Sequence, residues 1–131
     1  QEAVQILKNK GYTLAIATNP LFPMVANEKR IEWAGINKDD FVYVSCFENN
    51  RYTKPHLEYY QEVLDAVNKK ADQCYMIGND LLDDLTCRHL GVETYIINNH
   101  LVNSRNIENT SDHTGSYIEF LEFAKNLPSI K

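Results

Sequence analysis

The ten residues Tyr75-Met-Ile-Gly-Asn-Asp-Leu-Leu-Asp-Asp84 carry the strongest chemical signal in the chain. An apolar run stops at Gly78 and turns at once into carboxylates. A buried parallel strand reads this way when it delivers acids to the edge of an open α/β sheet, where such folds keep their ligand sites. Asp80, Asp83 and Asp84 lie within five residues of one another, and they repel unless a cation sits among them. A hard divalent ion such as Mg²⁺, held by one or two carboxylates and several waters, suits them. An Asp-rich turn or a helix cap gives the same local pattern, so the motif alone does not separate the readings.

Two further polar features fall at comparable places. The strand-like run Thr13-Leu-Ala-Ile-Ala-Thr18 ends in a hydroxyl and is followed by Asn19-Pro20, an N-cap with proline in the first helical turn. Lys54-Pro55 marks another helix start after the run Phe41–Cys46. In a parallel sheet the carboxyl ends of the strands share one edge. There Thr18, the Asn19 backbone, Lys54, Asp80 and Asp84 combine a hydroxyl, helix N-termini, an ammonium and acids for a metal. That combination suits a phosphate. Singly, Thr18 reads as a cap, Lys54 as a solvated side chain, Asp83 as an exposed helix residue and His56 as helix surface.

The elements that must hold these residues alternate between helix and strand. Helices are expected over 2–10, 20–34, from Lys54 through Val67, over 81–90 and from about Tyr117 to Leu127, with strands over 13–18, 41–46, 74–78 and 92–97. Gly11, Gly35 and Gly91 suit helix ends. Residues 98–112 are polar and read as loop. The last helix carries Tyr117, Phe120, Leu121, Ala124 and Leu127 at helical spacing, a core-facing stripe. Such alternation predicts an α/β fold, a three-layer, doubly wound parallel sheet of the Rossmann-like kind, as one domain over 1–131.

Composition narrows the function. The chain has 131 residues, a formal charge of −5, 44 % apolar and 24 % charged residues. The acidic balance and the lack of a Lys/Arg stripe argue against nucleic acid, and no apolar run has the length of a membrane span. Three cysteines without Cys-x-x-Cys spacing read as buried reduced thiols of a cytoplasmic protein. Four histidines without paired ligand spacing give no zinc signature. No Gly-x-Gly-x-x-Gly occurs, which removes the nucleotide-binding Rossmann reading.

The order of the motifs resembles the haloacid dehalogenase-like (HAD) hydrolases, a superfamily of mostly phosphatases. Leu14-Ala-Ile-Ala-Thr18-Asn19 looks like its second motif, Lys54-Pro55 like its third, and Met76-Ile-Gly78-Asn-Asp80-Leu-Leu-Asp-Asp84 like its fourth. The resemblance covers residues 3–127. It implies that Thr18 and the Asn19 N–H bind a phosphoryl oxygen. Lys54 would neutralise the phosphoryl charge and keep the nucleophile ionised. Asp80 would hold Mg²⁺, and Asp84 would act as second ligand or as partner of Lys54. Some members carry the metal acid directly after the Gly, where Asn79 stands, so Asn79 and Asp80 both remain candidate ligands.

The chain departs from the family at its start. Members open with an apolar strand ending in Asp-x-Asp, the nucleophile and general acid, and no Asp-x-Asp occurs here. The chain begins at Gln1, already in the helix that precedes the second motif. The expectation is therefore a C-terminal part of a core domain whose central first strand, and any cap, lie outside it. A second polypeptide, a clipped N-terminal piece or a neighbouring copy would complete the sheet. The resemblance implies an Mg²⁺-dependent phosphatase acting on a small phosphorylated metabolite through an aspartyl-phosphate, with this chain alone inactive. The alternatives are an inactive member with a regulatory or structural role and a receiver-type signalling domain. In a receiver the acids come first, then Thr and Lys, whereas here Thr18 and Lys54 precede the acids.

Overall fold

The computed structural model describes all residues from Gln1 to Lys131. It is an α/β structure in which every strand pair is parallel. Strands β1 (Ala15–Ile16) and β2 (Tyr43–Val44) form one sheet. Strands β3 (Tyr75–Gly78), β4 (Glu93–Ile97) and β5 (His113–Gly115) form another, in that order. The helices are α1 (Glu2–Asn9), α2 (Met24–Trp33), α3 (Leu57–Val67) and α4 (Tyr117–Asn126). The chain divides into two compact units, residues 1–53 with 121–131, and residues 54–120.

In the first unit, β1 pairs with β2 through Ala15↔Tyr43 and Ile16↔Val44. Ile31, Val44 and Cys46 supply its buried apolar side chains, and Asn27 is buried with them because its amide donates to the Ser45 carbonyl at 2.9 Å. The Lys10 ammonium donates to the carbonyls of Ala124, Lys125 and Leu127. A cation there satisfies the orphan carbonyls at the end of α4. Ile130 N–H to Lys10 O and Tyr12 hydroxyl to Pro128 O, each 2.8 Å, fasten the tail beside it.

Helix α2 does not start at Pro20. It starts at Met24 with Pro23 at the N-cap in extended backbone (φ −68°, ψ 160°). A second proline three residues after the first disfavours helical backbone at Phe22, which moves the helix start beyond it. Asn19 is thus not the N-cap of α2, and its carbonyl accepts from Leu21 N–H at 2.8 Å in a tight turn. The cap of α2 comes from across the unit: the Glu48 carboxylate accepts from Met24 N–H at 2.9 and 3.3 Å. An anion is favoured at that helix end, and the Cys46 thiol beside it is the main cause that holds the Glu48 carboxyl below its usual value.

In the second unit, β4 is the middle strand, and Thr94, Tyr95 and Ile96 are all buried. Consecutive burial of this kind marks a parallel strand covered on both faces of its sheet. Helix α3 packs Tyr59, Tyr60 and Leu64 with Cys87 and Val92. The two tyrosine rings meet edge to face at 5.3 Å, an arrangement that the ring quadrupoles favour. The helix ends at Asn68 in left-handed backbone (φ 55°), a conformation asparagine tolerates better than most residues.

Several expectations are corrected. Lys54-Pro55 does not open the helix: a cis peptide joins the two residues, and α3 begins at Leu57 with His56, still exposed, as its N-cap. The stretch 81–90 is a series of turns followed by a 3₁₀ segment, Thr86–Leu90, rather than an α-helix. Asp83, placed there, is half-buried instead of exposed. The polar stretch expected as loop is followed at once by β5, which has no apolar run to announce it. The helical stripe is only partly inward: Ala124 is fully buried, whereas Tyr117 is 56 % exposed. The three thiols are free, with Cys46 and Cys87 buried and Cys74 half-buried.

Candidate functional site

The acidic turn after β3 is built around Asp84. Its carboxylate is almost wholly enclosed, with Oδ1 accepting from the Lys54 ammonium at 2.7 Å and Oδ2 accepting from the backbone N–H groups of Asn79 and Asp80, both at 3.0 Å. Side-chain exposure is 8 % for Lys54 and 7 % for Asp84. A buried charge is tolerated only when paired and hydrogen-bonded, and this carboxylate is both. Three donors already occupy its two oxygens. Of the two roles expected for Asp84, the geometry supports partner of Lys54, with Oδ2 taken up by two backbone N–H groups.

Gly78 makes the arrangement possible. A Cβ at this position would lie 2.1 Å from Asp84 Oδ2, so the carboxylate uses the space that any other residue would fill. The Gly-x-x-x-x-x-Asp spacing visible in the sequence is thus a steric requirement.

Asp80 plays a different part. Its Oδ1 accepts from Leu82 N–H and Asp83 N–H, both at 2.9 Å, the pattern of an Asp-initiated turn. No hydrogen bond within the protein engages its other oxygen. Asn79, exposed, donates from Nδ2 to the His100 carbonyl at 3.0 Å, which turns its Oδ1 away from that bond. One carboxylate oxygen and one amide oxygen fit part of the all-oxygen shell of Mg²⁺, which water and other ligands complete. No group of three His, Cys, Asp or Glu side chains is placed to hold a metal by itself. Asp83 adds no ligand to the pair. Burial, and then the neighbouring Asp80, push its carboxyl above the usual value, with Lys54 opposing.

The layer behind the turn is stiff. The Tyr60 hydroxyl donates to the Asp83 carbonyl, and Thr86 Oγ1 donates to Leu82 O at 2.7 Å. The Cys87 thiol lies 3.5 Å from the Asp84 carbonyl, and burial followed by the Asp84 charge pushes it up to about 12. That thiol is inert as a nucleophile.

Thr18 and Asn19 belong to the other unit. Thr18 follows β1 with its hydroxyl oxygen buried, and its carbonyl accepts from Ser45 Oγ. It lines a cleft of about 190 Å³ with Ile16, Asn27 and Arg30. The structure thus brings Lys54, Asn79, Asp80 and Asp84 together and places Thr18 and Asn19 at the end of β1. Sequence reasoning missed the contributions of His100 and Val102, whose backbone groups grip the turn. A polar stretch offers no signal for a backbone contact.

The structure is similar to those of several enzymes. It matches a HAD phosphatase from Thermococcus onnurineus with a TM-score of 0.77 at 18 % identity, over 98 % of this chain and 57 % of that one. A Thermotoga maritima protein assigned as a beta-phosphoglucomutase gives 0.78 at 20 %, over 96 % and 58 %. YfnB of Bacillus subtilis, assigned as a HAD-hydrolase and bound to magnesium, gives 0.76 at 22 %, over 96 % and 54 %. At these identities the likeness bears on the fold, and the chain spans a little over half the length of each. No curated protein matches. The model of the family described as haloacid dehalogenase-like hydrolase matches residues 1–91, which include the β1 end, Lys54 and the whole acidic turn. The chain belongs to the haloacid dehalogenase-like hydrolases.

Proposed function

We propose that the protein containing this chain is a Mg²⁺-dependent phosphatase of small phosphorylated metabolites, working through an aspartyl-phosphate whose nucleophilic Asp lies outside residues 1–131. The observation that supports it best is the enclosed Lys54–Asp84 pair under an acidic turn with an open carboxylate oxygen. A buried lysine paired with one carboxylate is held in one place. It can therefore stabilise negative charge on a transferring phosphoryl group without reorganising.

In this reading Asp84 acts through Lys54, holding the ammonium in place. The Thr18 hydroxyl and the Asn19 N–H bind phosphoryl oxygens. Asp80, with Asn79 beside it, holds the cation, which when bound supplies charge neutralisation for the phosphate. The missing pieces are an Asp nucleophile that forms the acyl-phosphate and a second Asp that protonates the leaving alcohol and then activates water. They come from a preceding segment, a second polypeptide or another copy. An alternative, a member that keeps the fold in a regulatory or structural role, predicts no turnover under any of these arrangements. The deciding experiment is to assay the intact protein for Mg²⁺-dependent release of phosphate from small esters, with Lys54→Ala beside it. Turnover that survives Lys54→Ala unchanged contradicts the site assignment.

A further inference from the structure

Backbone groups just past the end of a strand have no ladder partner, yet the Asn79 carbonyl and the Leu81 N–H of the acidic turn are both engaged. The extended segment after β4 partners these two. Val102 N–H donates to Asn79 O at 2.8 Å, Leu81 N–H donates to Val102 O at 3.0 Å, and Asn79 Nδ2 donates to His100 O at 3.0 Å. Asp80 and Val102 form a parallel bridge. Asp80 meets Val102 rather than Asn98, four residues out of the β3–β4 register, so this is a separate pairing beyond both strands.

This segment is held independently of the turn it grips. At one end Asn98 N–H donates to Gly115 O at 2.9 Å, and Asn99 Oδ1 accepts from Tyr117 N–H at 2.7 Å. At the other, Asn103 closes a loop on Ile107, donating to its carbonyl and accepting from its N–H, each at 2.9 Å. A segment anchored on both sides can orient what it touches. The turn's own side-chain bonds fix Asp80 Oδ1, while the strap fixes the backbone on either side of it, and the other oxygen has no hydrogen bond within the protein. Ligand groups hold a metal well when such outer contacts lock their orientation.

Resting on the Mg²⁺ reading above, we infer that His100–Val102 is a positioning strap for the Asn79–Asp80 turn, gripped through the Val102 N–H. The test is Val102→Pro in the intact protein, with Val102→Thr as control. Proline removes the N–H, threonine keeps it, and the Val102 side chain is 41 % exposed, so little packing changes. Mg²⁺ affinity by calorimetric titration and hydrogen exchange at the Leu81 amide are the readouts. Val102→Pro is expected to weaken Mg²⁺ binding about ten- to a hundredfold and to speed Leu81 exchange, while Val102→Thr matches wild type in both. Asn99→Ala, which loosens one anchor, should shift both in the same direction by less. It tests the strap even where Val102→Pro fails to fold. Wild-type Mg²⁺ affinity in Val102→Pro overturns the strap, whatever Leu81 does. A wild-type protein with no Mg²⁺ affinity overturns the metal reading itself and the strap with it.

Discussion

The Asp84 carboxylate occupies the place a side chain at position 78 would need, with a Cβ on Gly78 lying 2.1 Å from Asp84 Oδ2. One residue's absence of a side chain is therefore what lets the other reach the backbone N–H groups of Asn79 and Asp80. Gly78→Ala should push the carboxylate off its donors and loosen its hold on Lys54. The expected cost is about 1–3 kcal/mol of stability, as for an overpacked core site, together with loss of most activity in the intact protein. Urea unfolding and turnover measured on the same preparations check it. Wild-type values in both would mean that the turn relaxes freely.

Lys54 and Asp84 should depend on each other. Removing either partner leaves an uncompensated charge in an enclosed place, so Lys54→Met or Asp84→Leu alone should cost about 3–5 kcal/mol. The double variant should recover part of that loss, because no charge then stays buried. A double-variant cycle by denaturant unfolding measures the coupling. Strictly additive effects would contradict the enclosed pair.

Asp80 separates charge from shape. In Asp80→Asn the amide oxygen still accepts from Leu82 and Asp83 N–H, so the turn persists and stability should change by less than about 1 kcal/mol. Mg²⁺ affinity should nevertheless collapse, because the cation loses its carboxylate. Asp80→Ala, by contrast, loses the turn cap as well and should cost about 1 kcal/mol. Retained Mg²⁺ binding in Asp80→Asn would move the ligand role to Asn79.

Asp112 ties β5 to β4, accepting from Thr94 N–H at 2.9 Å, Thr94 Oγ1 at 3.0 Å and the Arg88 guanidinium. The Thr94 N–H, foremost, and Arg88 hold its carboxyl below the usual 3.8. A depressed carboxyl stabilises the fold above its unfolded value, and that contribution fades as pH falls through the folded one. The Asp112→Asn variant should therefore melt below wild type at about pH 7, and the gap should narrow progressively as pH falls from 3.8 through the lower folded value. Melting temperatures compared across that range check the sign. A gap that widens on acidification would contradict it.

Much of this arrangement was legible in the residues. The apolar run to Gly78 and the acids after it announced β3 and its turn, and alternation of periodicity announced the parallel α/β fold. Local rules failed where the chain meets itself at a distance. Asn19-Pro20 looked like a cap and first turn, but Pro23 pushed the start of α2 onward and Glu48 supplied the cap. The 81–90 stretch has helical composition, yet Asp80 and Asp84 spend their oxygens on turn N–H groups and Lys54. β5 is three residues held by pairing to β4 and by Asp112, and carries no apolar pattern to read.

The most direct measurement is phosphate release from a simple phosphate ester by the intact protein, with and without Mg²⁺, for wild type and Lys54→Ala. The account predicts Mg²⁺-dependent turnover in wild type and a loss of about a hundredfold or more in Lys54→Ala, the scale of one preorganised charge at a transition state. Equal turnover in the two proteins, or turnover indifferent to Mg²⁺, would contradict it.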